Sequence, residues 1–309
     1  MSSSERTRGP ARRLVTAPLR RAGIDRSTVI RRLVRLGHPR LRELRASALA
    51  GTKPSSRVMG RAVRALETGV LRVPQGHAGG LALDLQYLPI SHAHLGSIAF
   101  GNLESEVQEA MVRHLARGGV FYDIGANLGF FSLLGAHLAG LEEGHVYAFE
   151  AAPENAAAIT RNVELNSLPN VSVVAKAVSA KSGRGRLQVV DDQSWSKLEE
   201  YGPHPFTEEV IEVELVSIDE FVKTEGVRPP SLVKIDVEGA ELAVLEGMRA
   251  TIAEHQPAII CELHDTHREF LAVIRELGYR AINLSGAEPL EQAGASAHAL
   301  ALPALDPGD

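Results

Sequence analysis

From residue 120 onward the chain alternates short, mostly apolar runs with longer segments whose apolar residues recur every three or four positions. Val120–Ile124, His145–Phe149, Val171–Ala175, Leu232–Ile235, Ala258–Cys261 and Tyr279–Leu284 are short and rich in β-branched or aromatic residues, as strands covered on both faces are. Leu128–Leu138, with Phe131, Leu134 and Leu138 in step, predicts a helix, as do Glu154–Leu165 and the stretches ending at Met248 and Leu277. Strand and helix in this order predict an α/β fold with a parallel sheet and right-handed crossovers. Ahead of it, Leu103, Val107, Met111 and Leu115 repeat every four residues, and Arg117-Gly118-Gly119 ends that helix.

Two segments alternate apolar and polar residues instead. Val70–Val73 and Leu81–Leu85 predict a hairpin around Gly79-Gly80. Gly185–Val190 and Val210–Val216 predict a second, bracketing the polar stretch Asp191–Glu209 with the chain's one tryptophan, Trp195, which either covers an apolar ligand or pins the loop. Residues 1–26 are rich in Ser, Arg, Gly and Pro and are expected to be mobile. Val29, Ile30, Leu33, Val34, Leu41, Leu44 and Ala48 then predict one or two basic amphipathic helices, broken at Gly37 and Pro39. The expected division is a basic extension over 1–72, a main domain over 73–284 and a flexible tail over 285–309.

Composition narrows the class. A hydrophobic content of 44% in 309 residues suffices for one substantial core. The single cysteine, Cys261, excludes a disulfide framework and a cysteine-based zinc site, and suits a reducing, cytoplasmic setting. No apolar run reaches the roughly 18 residues of a membrane span. The net charge of −5 hides a division: residues 1–72 hold 18 Lys and Arg against 4 Asp and Glu, so the remainder is strongly acidic. Three readings of the basic segment stand at this point: a lid on the acidic body, a peripheral contact with an anionic lipid surface, or an organellar transit segment. Nucleic acid is not expected as a partner, because the segment has no Phe, Tyr or Trp to stack on bases and no recognition module is found in the chain.

The candidate chemistry starts at Phe121–Phe131, where a strand runs through an acidic residue and a glycine turn into a helix. Against the dinucleotide fingerprint, Gly125 fits the first glycine, but Asn127 stands at the second and Phe130 at the third. A diphosphate fits poorly there, which argues against the alternative of a nicotinamide-dependent oxidoreductase. A phosphate-free adenosine cofactor tolerates this bulk and needs a carboxylate for its ribose at the end of the second strand. Glu150 stands there, 21 residues beyond Gly129, near the ~20 of a helical crossover. Asp123, Gly125, Gly129 and Glu150 together point to S-adenosylmethionine.

Two further strand ends are acidic. Asp236 and Glu238 follow Leu232–Ile235, and Glu262, His264 and Asp265 follow Ala258–Cys261. In an open parallel sheet these ends converge on the ligand. Asp236 is read as a ligand contact, the alternative being that it or Glu238 caps the next helix. His264 is the candidate general base, the alternative being a satisfied core histidine; His267 at i+3 adds little. Magnesium held by Asp236, Glu262 and Asp265 would ease deprotonation of a hydroxyl, but no all-protein cage is spelled out and no metal is assigned. Cys261 reads as buried filler.

The runs Asp123-Ile-Gly-Ala-Asn-Leu-Gly-Phe-Phe131, Tyr147-Ala-Phe-Glu150, Ser217-Ile-Asp-Glu-Phe221 and Val233-Lys-Ile-Asp-Val-Glu-Gly-Ala-Glu241 resemble FkbM-type S-adenosylmethionine-dependent methyltransferases across roughly residues 100–284. The resemblance implies a class I methyltransferase fold, Rossmann-like, with a mostly parallel seven-stranded sheet. It also implies O-methylation of a hydroxyl on a small metabolite, natural product or glycan. By position it assigns Asp123, Gly125 and Gly129 to the methionine end of the cofactor and Glu150 to the ribose. Ala177 and Val178 fall near the adenine, and Glu104 near the cofactor unless it merely favours the N-terminus of its helix. Asn127 lies at the cofactor, or holds the turn by a side-chain bond to backbone. Asp236, Glu238 and His264 are the catalytic candidates, and a non-catalytic cofactor-binding or membrane-attached module is the remaining alternative.

Overall fold

The computed structural model describes residues 69–84, 97–98, 101–190 and 196–304. The predicted basic helices and Trp195 lie outside the described residues. The chain divides into two units, residues 1–71 with 85–87 and residues 72–84 with 88–309; the first contributes only residues 69–71 to the described set.

In chain order the elements are β1 (Val70–Arg72), β2 (Ala82–Asp84), α1 (Ser105–His114), β3 (Val120–Ile124), α2 (Phe130–Ala139), β4 (His145–Phe149), α3 (Pro153–Leu165), β5 (Val171–Val174) and β6 (Ala177–Val178). They continue with β7 (Gly183–Val190), β8 (Lys197–Leu198), β9 (Thr207–Val216), α4 (Ile218–Glu225), β10 (Leu232–Ile235), α5 (Glu241–Glu246), α6 (Arg249–His255), β11 (Ala258–His264), α7 (His267–Glu276), β12 (Tyr279–Asn283) and β13 (Ser296–Pro303). Among the described residues no helix is long and apolar enough to cross a membrane.

The main sheet has seven strands in the order β12-β13-β11-β10-β3-β4-β5. From β5 to β11 its neighbours are parallel, and β13 is antiparallel to both β11 and β12. The expectation of a flexible tail therefore fails for residues 296–303, which are inserted between two other strands. The reason is compositional: Ala297, Ala299 and Ala301 fill the buried positions, and alanine gives no strand signal.

The predicted second hairpin forms as β7 and β9, paired antiparallel from Gly183↔Leu215 to Val190↔Thr207. It belongs to a separate four-stranded sheet, β6-β9-β7-β8, whose inner face buries Leu187, Val189, Leu198 and Val213 around Ala152. Beneath the main sheet, Tyr122, Phe149 and Phe221 meet with ring centroids 5.0 to 6.1 Å apart, tilted or edge-on. β2 is anchored by Asn162 of α3 and by Asn166 just past its end, whose side-chain oxygens accept the N–H groups of Asp84 and Ala82 at 2.8 Å each, so asparagine side chains stand in for a neighbouring strand.

Candidate active site

β3 and β10 lie side by side, and the chain proceeds from them toward opposite edges of the sheet. The crevice at their carboxyl ends is where such a sheet binds ligands. Gly125 turns the chain out of β3 at φ +80°, and a Cβ there would run into the carbonyl oxygen of Asp236. The N–H groups of Gly125 and Ala126 both donate to Phe149 O, at 3.0 and 2.9 Å. Glycine is needed here for both conformation and proximity.

Asn127 follows in the left-handed region at φ 52°, which asparagine tolerates. Its own side chain does not hold the turn. Instead its backbone N–H donates to Glu150 Oε2 at 2.8 Å, the N–H of Ala152 donates to Glu150 Oε1 at 2.8 Å, and the Asn127 side-chain oxygen receives only Asn155 Nδ2 at 3.5 Å. Burial pushes the Glu150 carboxyl up to about 7 against the pull of these two N–H groups.

Gly125, Asn127, Glu150, Ala177, Val178, Asp236 and Glu238 line one cavity. Sequence reasoning missed Phe149, Leu187 and Leu198 in the same wall; the last two belong to the second sheet, whose share in the cavity no local pattern signals. Asp123, Gly129, Glu104 and His264 are outside that lining. Asp123 sits below it, 1% exposed; Oδ2 accepts from Ser132 Oγ, Oδ1 has no partner, and burial raises the carboxyl to about 6. Gly129 starts α2 at φ +81° with its Cα face against Ile159 of α3, a packing position. Glu104 occupies the N-cap of α1 without a side-chain capping bond; its carboxylate lies 3.2 Å from His298 Nε2 on β13.

The far side of the crevice is acidic. Lys234, 2% exposed, points inward from β10, with Nζ 2.7 Å from Asp236 Oδ2 and 4.8 Å from the Phe131 ring centroid. Burial opposes the charge of Asp236, but the Lys234 ammonium overrides it and holds that carboxyl at about 2. His264 Nδ1 lies 2.6 Å from Glu241 Oε1, and Glu241 is fully buried. Its Nε2 faces Glu238 Oε2 and Glu262 Oε1, each at 3.7 Å. Burial would lower the imidazole, but the Glu241 bond and the carboxylates of Glu238 and Glu262 raise it to about 9. His264 is therefore held toward its cationic form at neutral pH, which runs against its expected role as a free base.

The grouping expected of Asp236, Glu262 and Asp265 changes one member. One donor atom each from Asp236, Glu262 and His264 lies within 4.8 Å of the others; Asp265, at φ 59°, is turned into backbone pairing with Ala295. His267 stays out of the group. Cys261 is buried, with burial raising its thiol well above the usual range, in keeping with filler. His298 was not legible, having arrived with β13.

Residues 123–281 match the methyltransferase FkbM domain. The chain is 28% identical over 228 residues to 31-O-demethyl-FK506 methyltransferase FkbM of Streptomyces tacrolimicus, covering 62% of this chain and 86% of that protein. It is 27% identical over 202 residues to hexuronic acid methyltransferase AglP of Haloferax volcanii, covering 65% and 78%. Among solved structures, methyltransferase FkbM of Methylobacillus flagellatus aligns at a TM-score of 0.40 and 15% identity over 90% of this chain and 61% of that one. The matched domain covers both arms of the crevice, from the turn after β3 to the acidic ends of β10 and β11, and the chain belongs to the FkbM family of S-adenosylmethionine-dependent methyltransferases.

Proposed function

We propose that this enzyme methylates a hydroxyl oxygen of a sugar or other hydroxyl-bearing small molecule. The carrying observation is a single cavity with the Glu150 carboxylate and the apolar Phe149, Ala177, Val178, Leu187 and Leu198 on one side, and Asp236 and Glu238 on the other. The names of the two relatives agree with it: one specifies an oxygen position on FK506, the other a hexuronic acid.

The first arm fits S-adenosylmethionine. Each Glu150 oxygen accepts one backbone N–H and keeps a lone pair for a ribose hydroxyl. The apolar wall suits an adenine, and the unpaired Asp123 Oδ1 beneath the Gly125 turn suits the ammonium of the amino-acid end. When bound, the cofactor supplies a methyl group on a positively charged sulfur. The protein's task is to align the hydroxyl oxygen and exclude water. As the oxygen gains the methyl group, its proton passes to Glu238, which lines the cavity beside Asp236, with Asp236 and His264 positioning the acceptor.

The test is incubation of the full-length protein with S-adenosylmethionine and a panel of uronic acids, glycosides and macrolides, read by mass spectrometry for one added methyl group. Asp236→Asn and Glu238→Gln should retain S-adenosylhomocysteine binding by calorimetry and lose about 10²-fold or more in kcat. Full turnover in Glu238→Gln, or methylation at nitrogen or carbon, would overturn the reading.

A further inference from the structure

We propose that Asp236, Glu262 and His264 form a binding site for one divalent cation of the manganese or zinc type. Their three donor atoms lie within 4.8 Å of one another, and a small inward rotation lets one ion reach each at ~2.0–2.2 Å.

Neighbours set which donor atoms are free. Lys234 occupies Asp236 Oδ2, leaving Oδ1. Glu241, carrying no exposed surface, occupies His264 Nδ1 at 2.6 Å, leaving Nε2. A buried carboxylate holding the far nitrogen is the usual support of a metal-bound imidazole, because it fixes the tautomer that presents a lone pair at Nε2. That nitrogen faces Glu238 and Glu262, each at 3.7 Å. Facing two carboxylates, that nitrogen carries a proton, and an ion bound between the three would take the proton's place.

An independent observation comes from β13. His298 is 8% exposed, and its Nε2 lies 3.2 Å from Glu104 Oε2 and 3.7 Å from Glu262 Oε2 without a well-aligned hydrogen bond to either. Ser296 Oγ donates to Glu262 Oε1 at 2.6 Å. Glu262 is thus held from β13 while facing His264, and a buried imidazole nitrogen sits between it and Glu104. Charge points the same way: carboxylates of Asp236, Glu238, Glu241 and Glu262 gather here against two cations, Lys234 and His264. Buried like charges of this kind call for a counterion.

The donor set selects the ion. Two carboxylate oxygens and one imidazole suit manganese or zinc, whereas calcium and magnesium favour all-oxygen shells. Three protein donors leave positions open for an oxygen ligand. On the proposed O-methylation reading, on which this use of the ion rests, that ligand is the acceptor hydroxyl, whose proton leaves more readily beside the ion.

The test uses the full-length chain, stripped with chelator and desalted, titrated with manganese chloride and followed by the paramagnetic resonance of the free ion and by calorimetry, with zinc chloride in parallel. One ion should bind per chain. Glu262→Gln and His264→Asn should each weaken binding about 100-fold, and Glu241→Gln about 10-fold or more, as loss of a ligand or of its support does. Circular dichroism in chelator checks that each variant is folded, and His264→Asn serves if Glu262→Gln is not. No saturable binding, or binding unchanged in the folded variants, overturns the site. S-adenosylhomocysteine is titrated into the metal-free protein separately: its binding with no metal binding sinks the cation site alone, and metal binding without it sinks the cofactor reading alone.

Discussion

Glu150 and Asn127, 23 residues apart in sequence, are joined by a 2.8 Å hydrogen bond in which the backbone N–H of Asn127 donates to Glu150 Oε2. The carboxylate proposed to bind ribose also closes the turn that shapes the cofactor crevice. One side chain thus couples cavity geometry to cavity chemistry.

Glu150→Gln separates the two roles from full deletion. Glutamine keeps one oxygen for an N–H but sets an NH₂ against the other donor, leaving a buried group unpaired at about 1–3 kcal/mol. Affinity for S-adenosylhomocysteine should fall about 10-fold or more by calorimetry, while Glu150→Ala should also lower the melting temperature because both turns lose their clamp. Unchanged affinity in Glu150→Gln would remove the ribose assignment.

The same residue makes cofactor binding depend on pH. Burial holds Glu150 at about 7, above its ordinary value of 4.5, so the folded chain binds its proton more tightly than the unfolded chain does. Its contribution to stability is present below the ordinary value and is lost as pH rises through about 7. Ribose hydroxyls donate to the ionised form, so affinity should rise by ~10-fold per pH unit up to about 7 and then level off. Calorimetry in buffers of different ionisation enthalpy should show proton release on binding below that point, and none in Glu150→Gln.

The legible parts of this chain are those where one residue type has one physical use. Val120–Ile124 and Leu232–Ile235 read as buried strands because they are buried throughout, and the carboxylates ending β4 and β10 stood out as charges after apolar runs. The illegible parts depend on what lies across the fold. Lys234 sits inside a quoted motif, yet its inward burial follows only from the pairing of Lys234 with Asp123 across β10 and β3. Glu241 likewise stood in plain view at the start of α5, but its partner His264 arrives from the end of β11. Leu187 and Leu198 look like ordinary hairpin residues until the second sheet brings them to the cavity wall.

Lys234 should be indispensable to the fold. Its ammonium faces Asp236 and, by charge, Glu104 and Asp123, and these carboxylates together hold its pKa above the usual lysine value against burial. Lys234→Met leaves buried carboxylates uncompensated, a loss of about 3–5 kcal/mol. Chemical denaturation should show that loss, and adding Asp236→Asn should restore part of it, because the partner's charge is then gone as well. Simple additivity of the two changes would contradict the pairing.

Gly125→Ala tests the contact between β3 and β10. The added methyl meets the Asp236 carbonyl oxygen directly, and φ +80° is unfavourable for alanine besides. The variant should be insoluble or melt far below the parent. Gly226→Ala is the control, since its φ is +60° and nothing lies within 4 Å of the added carbon; only the left-handed conformation is penalised, at ~1–2 kcal/mol.

Removing residues 285–309 should be far more damaging than their composition suggests. β13 supplies the ladder partners of β11 from Ile259↔Ala301 to His264↔Ser296 and of β12 from Tyr279↔Pro303 to Asn283↔Ala299. Its loss strips both strands at once, and an unpaired apolar edge invites association with other chains. It also removes Ser296 and His298, which hold Glu262 from one side. The truncated chain should be recovered as aggregate, and Ala301→Asp, which sets a charge at a fully buried strand position, should unfold the intact chain by a different route. A soluble, cooperatively melting truncation would mean that β11 and β12 can close the sheet without the strand between them.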